Sequence, residues 1–223
     1  MPETASTAVV TGATGLVGRH LVAELLADRG VDQVVTLGRR RLDSSDTSRL
    51  DERVVNLLEL EERDLPERVD EAYCCLGTTI KRAGSQAAFR DVDHHMPLRF
   101  ARAALARGAR RFALVSSLGA DARSRVFYSR VKGEVERDLQ GLGFERLVIL
   151  RPSLLLGARD EHRRGEKFAE RVASVTSWML VGALRRYRPI EARTVARAMI
   201  VALRDAAPGT TILPSDELAR LGA

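Results

Sequence analysis

Apolar residues in this chain fall into short continuous runs, and amphipathic stretches separate them. Thr7–Thr11, Gln33–Leu37, Asp70–Leu76, Arg111–Ser117 and Arg146–Arg151 are apolar runs rich in β-branched residues and predict strands; Arg53–Asn56 is a weaker candidate between the second and the fourth. The segments between them have helical spacing. Leu16, Val17, His20, Leu21, Leu25 and Leu26 form one stripe of a predicted helix over Leu16–Arg29. Ser85–Arg107 is a long Ala-rich helix closed by Gly108, and Ser124–Leu142 is a third, closed by Gly141 and Gly143.

Strands that are apolar almost throughout, alternating with helices, predict a parallel sheet covered on both faces, the doubly wound α/β arrangement. After Pro152 the pattern changes. A charged loop at Ala158–Arg164 precedes helical segments at Glu166–Leu184 and Glu191–Leu203, separated by Arg185–Ile190. This is too little chain for an independent unit. The expectation is one domain over residues 1–223, with a core at 1–151 and a small helical cap on the substrate side at 152–223.

The loop Thr11-Gly12-Ala13-Thr14-Gly15-Leu16-Val17-Gly18 joins the first strand to the first helix. Gly12 suits a tight turn off the strand, Gly15 lets backbone N–H groups approach a pyrophosphate at the helix N-terminus, and Gly18 lets the helix pack close to the sheet. A glycine triplet alone is a weak signal; the strand before it and the helix after it supply the context that the chemistry needs. A site for NAD(H) places an acid about 20 residues past the loop to accept the ribose hydroxyls. Here that point is Gly38, followed by Arg39-Arg40-Arg41, and the first acid is Asp43. Guanidinium groups bind a 2′-phosphate bidentately. Arg39 and Arg40 therefore favour NADP(H), with NAD(H) as the alternative; the competing reading makes them ordinary surface charge.

Tyr128 and Lys132 stand four residues apart, on one helix face. An ammonium near a phenol favours the phenolate, so Tyr128 is a candidate proton donor and acceptor. Composition sharpens this. Of 36 basic residues only Lys81, Lys132 and Lys167 are lysine, so a lysine at this spacing is selective. Ser116 and Ser117 end the fifth strand, where ligands of open α/β sheets bind. Ser117 is the candidate donor to a substrate carbonyl, and Ser116 a strand-end residue that satisfies backbone groups.

Together Gly12–Gly18, Arg39, Arg40, Ser117, Tyr128 and Lys132 resemble the short-chain dehydrogenase/reductase superfamily in its extended or atypical form. More narrowly, Cys74-Cys75-Leu76-Gly77-Thr78-Thr79, Ser116-Ser117 with Gly119-Ala120-Asp121, Lys132-Gly133-Glu134-Val135-Glu136 and Arg151-Pro152 resemble the Tat-interacting-protein group of oxidoreductases. The resemblance implies a Rossmann fold and NADPH binding. It also implies Tyr128 as general acid/base, Lys132 as its activator and ribose ligand, and Ser117 as carbonyl donor. It places Leu76, Gly77 and Thr78 beside the cofactor, Asn56 and Leu57 near the adenine, and the region after Pro152 at the nicotinamide end, with Arg151 and Pro152 among the cofactor-binding residues. Asn56 departs from the acid usual at its position, although its amide oxygen can still accept from the adenine amine. The implied activity is hydride transfer between NADP(H) and a small carbonyl or alcohol. Two alternatives stand beside it: a catalytically weak NADP(H) sensor that acts through a protein partner, and an NAD-dependent epimerase or dehydratase. The short segment after Pro152 weighs against a nucleotide-sugar substrate.

Composition narrows the setting. The net charge is +6, yet arginines alternate with acids along the chain and aromatic residues make up 4%, so nothing points to a nucleic-acid platform. The uncharged run Val172–Leu184 has 13 residues, shorter than the roughly 17–25 of a spanning helix. Cys74 and Cys75 are adjacent and lack metal-ligand spacing. With no basic N-terminal flank, the expectation is a cytoplasmic protein without an integral membrane segment, monomeric or homodimeric. Adjacent His94 and His95 point apart on a helix and give no metal site, while Asp93 stands near the expected site.

Overall fold

The computed structural model describes residues 6–42, 48–156 and 182–223. In chain order they form β1 (Thr7–Thr11), α1 (Leu16–Ala27), β2 (Gln33–Gly38), β3 (Leu50–Val54), β4 (Glu71–Cys74), α2 (Ile80–Ala83), α3 (Gln86–Arg90), a π-helical turn (Asp91–His95), α4 (Met96–Ala106), β5 (Arg111–Val115), α5 (Phe127–Gln140), β6 (Arg146–Arg151), β7 (Leu155–Leu156), β8 (Ile190–Glu191), α6 (Ala192–Asp205), β9 (Gly209–Pro214) and α7 (Ser215–Leu221). Seven strands make one sheet in the order β3-β2-β1-β4-β5-β6-β9, every pair parallel. The order reverses between β1 and β4, which makes the crevice at their C-terminal ends the place for a ligand.

Alternation along each strand feeds two cores. Ala8 and Val10 of β1 pack with Leu21 and Leu25 of α1 and with Val195 and Met199 of α6. Val9, between them, joins Phe100 of α4, Phe112 of β5 and Leu139 of α5 on the opposite face. Successive side chains of a strand point to opposite faces, so strands buried on both sides are apolar throughout.

The sequence-based expectations are corrected at several boundaries. The third strand is Leu50–Val54 rather than 53–56, because Leu50 pairs with Val34 and Val54 with Gly38 at the sheet edge. The expected helix over 85–107 is interrupted by the π-helical turn; Ser85 is its N-cap, with Oγ accepting from the Ala88 N–H at 3.1 Å. The helix expected from Ser124 starts at Phe127, since Ser124 Oγ accepts from the Val126 N–H in the loop before it. The largest correction concerns the segment expected to be only a helical cap. Gly209–Pro214 is the seventh strand of the sheet, and α6 is one of its covering helices. The charged loop 158–164 and the expected helix up to residue 181 lie outside the described residues.

At the N-terminal end of the sheet the carboxylate of Glu71, 1% exposed, gathers three partners. It accepts from the Tyr73 hydroxyl at 2.8 Å and from Arg204 Nε at 3.1 Å, and pairs with Arg111 at 3.1 Å. Arg204 also pairs with Asp28, so β4, β5, α1 and α6 meet at one buried charge. Breaking a buried pair strands the remaining charges. Glu71→Gln is expected to destabilise the fold by roughly 3 kcal/mol, the lower end of the range for such pairs because both arginines are partly solvated; the urea midpoint reads it, and an unchanged midpoint would refute the network's role.

Candidate active site

The glycine loop is a set of close backbone approaches. Gly12 has φ +75°, and a Cβ there would lie 2.5 Å from the Cys75 carbonyl group of the next strand end. That conformation and that contact exclude any side chain. Gly15 N–H donates to the Gly12 carbonyl at 2.9 Å. A Cβ on Gly18 would meet the same carbonyl at 2.2 Å. Gly18 thus lets α1 close onto the loop that leaves β1. Val17 is buried, and half-buried Leu16 packs against the same core. Thr14 is half-buried in the loop. Among the described residues no side chain caps α1, and its first turn holds no acid. Its free N–H groups and positive dipole end form a cradle suited to a phosphate.

Arg39 and Arg40 are exposed just beyond β2. Asn56 is exposed past β3 and its Oδ1 accepts from the Leu58 N–H at 3.2 Å, while the Leu57 side chain belongs to the core. Beyond β4, Leu76 is half-buried, Gly77 is exposed and Thr78 is half-buried. A Cβ on Gly77 would be 3.6 Å from Asp93 Oδ1 and 3.7 Å from Lys132 Nζ. The Thr78 N–H donates to Asp93 Oδ2 at 2.9 Å.

Asp93 therefore sits at the centre of the site. The π-helical turn carries it inward, and its other oxygen lies 2.7 Å from Lys132 Nζ, with both side chains buried. Burial pushes the Lys132 ammonium toward neutrality, but Asp93 and, after it, Tyr128 overcome this and hold its pKa above the ordinary 10.5. Because the folded-state pKa is raised, the pair's stabilisation is complete below 10.5 and declines only as pH rises beyond it. Tyr128 lies in the first turn of α5, half-buried, its ring centroid 5.4 Å from that of Phe89. Gly133 follows Lys132 at a point where a Cβ would be 2.0 Å from the Ala122 N, so α5 lies directly against the loop after β5.

β5 stops at Val115, two residues short of the expected strand end, and Ser117 lies in that loop, half-buried, with Oγ donating to the Leu118 carbonyl at 3.3 Å. The Ser116 side chain, expected to satisfy backbone groups, instead donates its Oγ to the buried Glu136 carboxylate. Arg151, expected toward the cofactor, places its guanidinium on the same Glu136 carboxylate, with Nε at 3.1 and 3.2 Å. Buried Pro152 accepts from the Leu118 N–H at 3.0 Å. Beside Ser117 a cavity of about 520 Å³ opens between the ends of β5, β6 and β9, lined by Leu118, Gly119, Arg151, Arg186, Tyr187, Ile212 and Pro214. The histidines of the π-helical turn take carboxylate partners: His94 with Asp138 at 2.8 Å and His95 with Asp91 at 2.9 Å. The Cys75 sulfur rests 3.9 Å from Met199 Sδ, and burial raises its thiol pKa. His162 and Trp178 lie outside the described residues.

The sequence suggests Asp93 as a hydrogen-bonding residue near the site, without naming Lys132 as its partner, and gives Glu136 no role. The local signal for Asp93 is an acid inside an otherwise helical run; the π-helical turn that aims it has no sequence mark.

The family model described as "NAD dependent epimerase/dehydratase family" matches residues 8–212. The chain belongs to this family. It is one of the short-chain dehydrogenase/reductase proteins, in agreement with the resemblance read from its motifs. Protein HTATIP2 of Rattus norvegicus is 38% identical over 165 residues, 73% of this chain and 68% of that protein. Protein FMP52, mitochondrial, of Coccidioides immitis is 32% identical over 237 residues, covering 97% of this chain and 96% of the relative. Among solved structures, MoeE5 in complex with UDP-glucuronic acid and NAD superposes with TM-score 0.70 at 21% identity, over 93% of this chain and 75% of that one. An oxidoreductase of the short chain dehydrogenase/reductase family from Burkholderia thailandensis also gives 0.70, at 23% identity, over 97% and 93%. These two establish the likeness of fold. The expectation of a cytoplasmic protein is overturned by the relatives, since the FMP52 proteins are named as mitochondrial. No helix among the described residues is long and apolar enough to cross a membrane.

The lysine pair is directly testable, because the chain has three lysines. In Asp93→Asn, burial acts on Lys132 without the opposing carboxylate. Its pKa should fall below that of the unaltered protein, read from the pH titration of ¹³Cε-labelled lysine by NMR. Identical titrations in both proteins would show that the pair does not set the charge.

Proposed function

We propose that the protein is an NADP(H)-dependent oxidoreductase acting on a small carbonyl or alcohol. The observation that carries this reading is the buried Lys132–Asp93 pair, which lies beside Gly77 and whose lysine is on the helix that bears Tyr128. The chain's residues fit the dinucleotide: the uncapped N-terminus of α1 and Gly12, Gly15 and Gly18 for the pyrophosphate, Arg39 and Arg40 for the 2′-phosphate, Asn56 and the Leu57 backbone for the adenine, and Leu76, Gly77 and Thr78 alongside. When bound, the nicotinamide supplies or accepts the hydride.

Ser117 donates to the substrate oxygen and orients the carbonyl. Tyr128 passes its phenolic proton to that oxygen during reduction and takes it back during oxidation. Lys132 keeps a positive charge near the phenol and would hold the ribose hydroxyls of the dinucleotide, and Asp93 fixes the ammonium in place. The Asp93 carboxylate also offsets part of the Lys132 charge, which favours a second reading: a slow enzyme whose dinucleotide occupancy is sensed by a protein partner.

Two outcomes follow. Tyr128→Phe should reduce NADPH-dependent carbonyl turnover by roughly 10²- to 10⁴-fold while NADPH affinity changes little; a variant that keeps most of its activity refutes the mechanism. Arg39→Ala or Arg40→Ala should each weaken NADPH binding about tenfold and leave NADH binding unchanged, the size of one charge-assisted hydrogen bond. Parallel titrations by melting-temperature shift check this, and an NADH preference in the unaltered protein refutes the arginine assignment.

A further inference from the structure

Helix α5 presents three polar side chains at intervals of four residues: Tyr128, Lys132 and Glu136. The third has no part in the chemistry described so far. Its carboxylate is 2% exposed and is held by two groups from different strands. Ser116, just past the end of β5, donates its hydroxyl to Oε1; Arg151, the last residue of β6, donates through Nε to both oxygens and through Nη2 to Oε2. The backbone joins the same two strand ends. The Ser116 N–H donates to the Leu150 carbonyl at 2.7 Å and the Leu118 N–H to the Pro152 carbonyl at 3.0 Å. Ser117 lies between these two bonds.

We propose that Glu136 is the positioning residue of the site: it fastens the ends of β5 and β6 to the helix that carries Tyr128 and Lys132, and so fixes Ser117 relative to the Tyr128 hydroxyl. This rests on the oxidoreductase reading above. Stability alone gives little reason for a carboxylate here, because an apolar pair of the same volume stabilises a fold as well as a buried ion pair or better. An ion pair adds direction. The carboxylate accepts along fixed lone-pair directions, and the guanidinium fork meets it in one plane. A fraction of an ångström matters for Ser117, whose oxygen must reach the substrate oxygen that Tyr128 also reaches.

Two variants of the full chain test this. Glu136→Gln keeps an acceptor for Ser116 and removes the charge facing Arg151. Ser116→Ala leaves the Glu136–Arg151 pair intact and frees only the strand end. With NADPH and a panel of aldehydes and quinones, kcat should fall roughly 10- to 100-fold in each, as for a small misplacement of reacting groups. The NADPH dissociation constant and the carbonyl KM should stay close to those of the unaltered protein. Amide hydrogen exchange at residues 116–118 should accelerate while the α1 amides stay protected. The proposal is overturned by unaltered kcat and exchange in both variants, or by kcat, NADPH affinity and melting temperature falling together, which is the mark of a merely structural residue. If Glu136→Gln does not fold, Ser116→Ala decides by the same criteria. If the unaltered protein binds NADPH and reduces none of the carbonyls, the oxidoreductase reading fails, and the exchange at residues 116–118 decides the positioning on its own.

Discussion

A lysine ammonium removed from water must find a carboxylate or give up its proton. In this protein the first outcome organises the site. Lys132 meets Asp93 at 2.7 Å, and the second Asp93 oxygen takes the Thr78 N–H. One carboxylate thus ties α5, the π-helical turn and the segment after β4 to a single point, and Gly77 passes directly over it. A Cβ at Gly77 would be in van der Waals contact with both members of the pair.

The rest of the site is arranged around α5. The helix lies against the loop after β5 so closely that Gly133 meets the Ala122 backbone, and the Asp121 N–H donates to the Ser129 carbonyl at 3.0 Å. On the far side of Lys132, Glu136 takes the ends of β5 and β6. The charged residues of this helix differ in solvation for a physical reason. Those toward the sheet are paired and buried, whereas Arg137 on the outer face pairs with a partly exposed Asp138.

The seventh strand shows how a sequence pattern misleads. β9 lies at the sheet edge, with Gly209, Thr210 and Ile212 exposed and Leu213 buried. Half-exposed edge strands lose the continuous apolar run that marks the central ones. β3, at the opposite edge, reads Leu-Asp-Glu-Arg-Val and was misplaced by three residues at its start for the same reason. The central strands β1, β2, β5 and β6 were legible to within two residues, because burial on both faces leaves only one kind of side chain acceptable along their length.

By itself the sequence determined the α/β alternation, the parallel sheet, the glycine turn and the spacing of Tyr128 and Lys132, since each depends on residues close together in the chain. The tertiary structure alone decided which carboxylate meets Lys132, that Ser116 and Arg151 share Glu136, and that Gly12 meets the Cys75 carbonyl group past the end of β4. These contacts join residues brought together by the sheet order and by a π-helical turn that re-aims one side chain. Local propensity and periodicity carry no information about which distant group a buried charge will face.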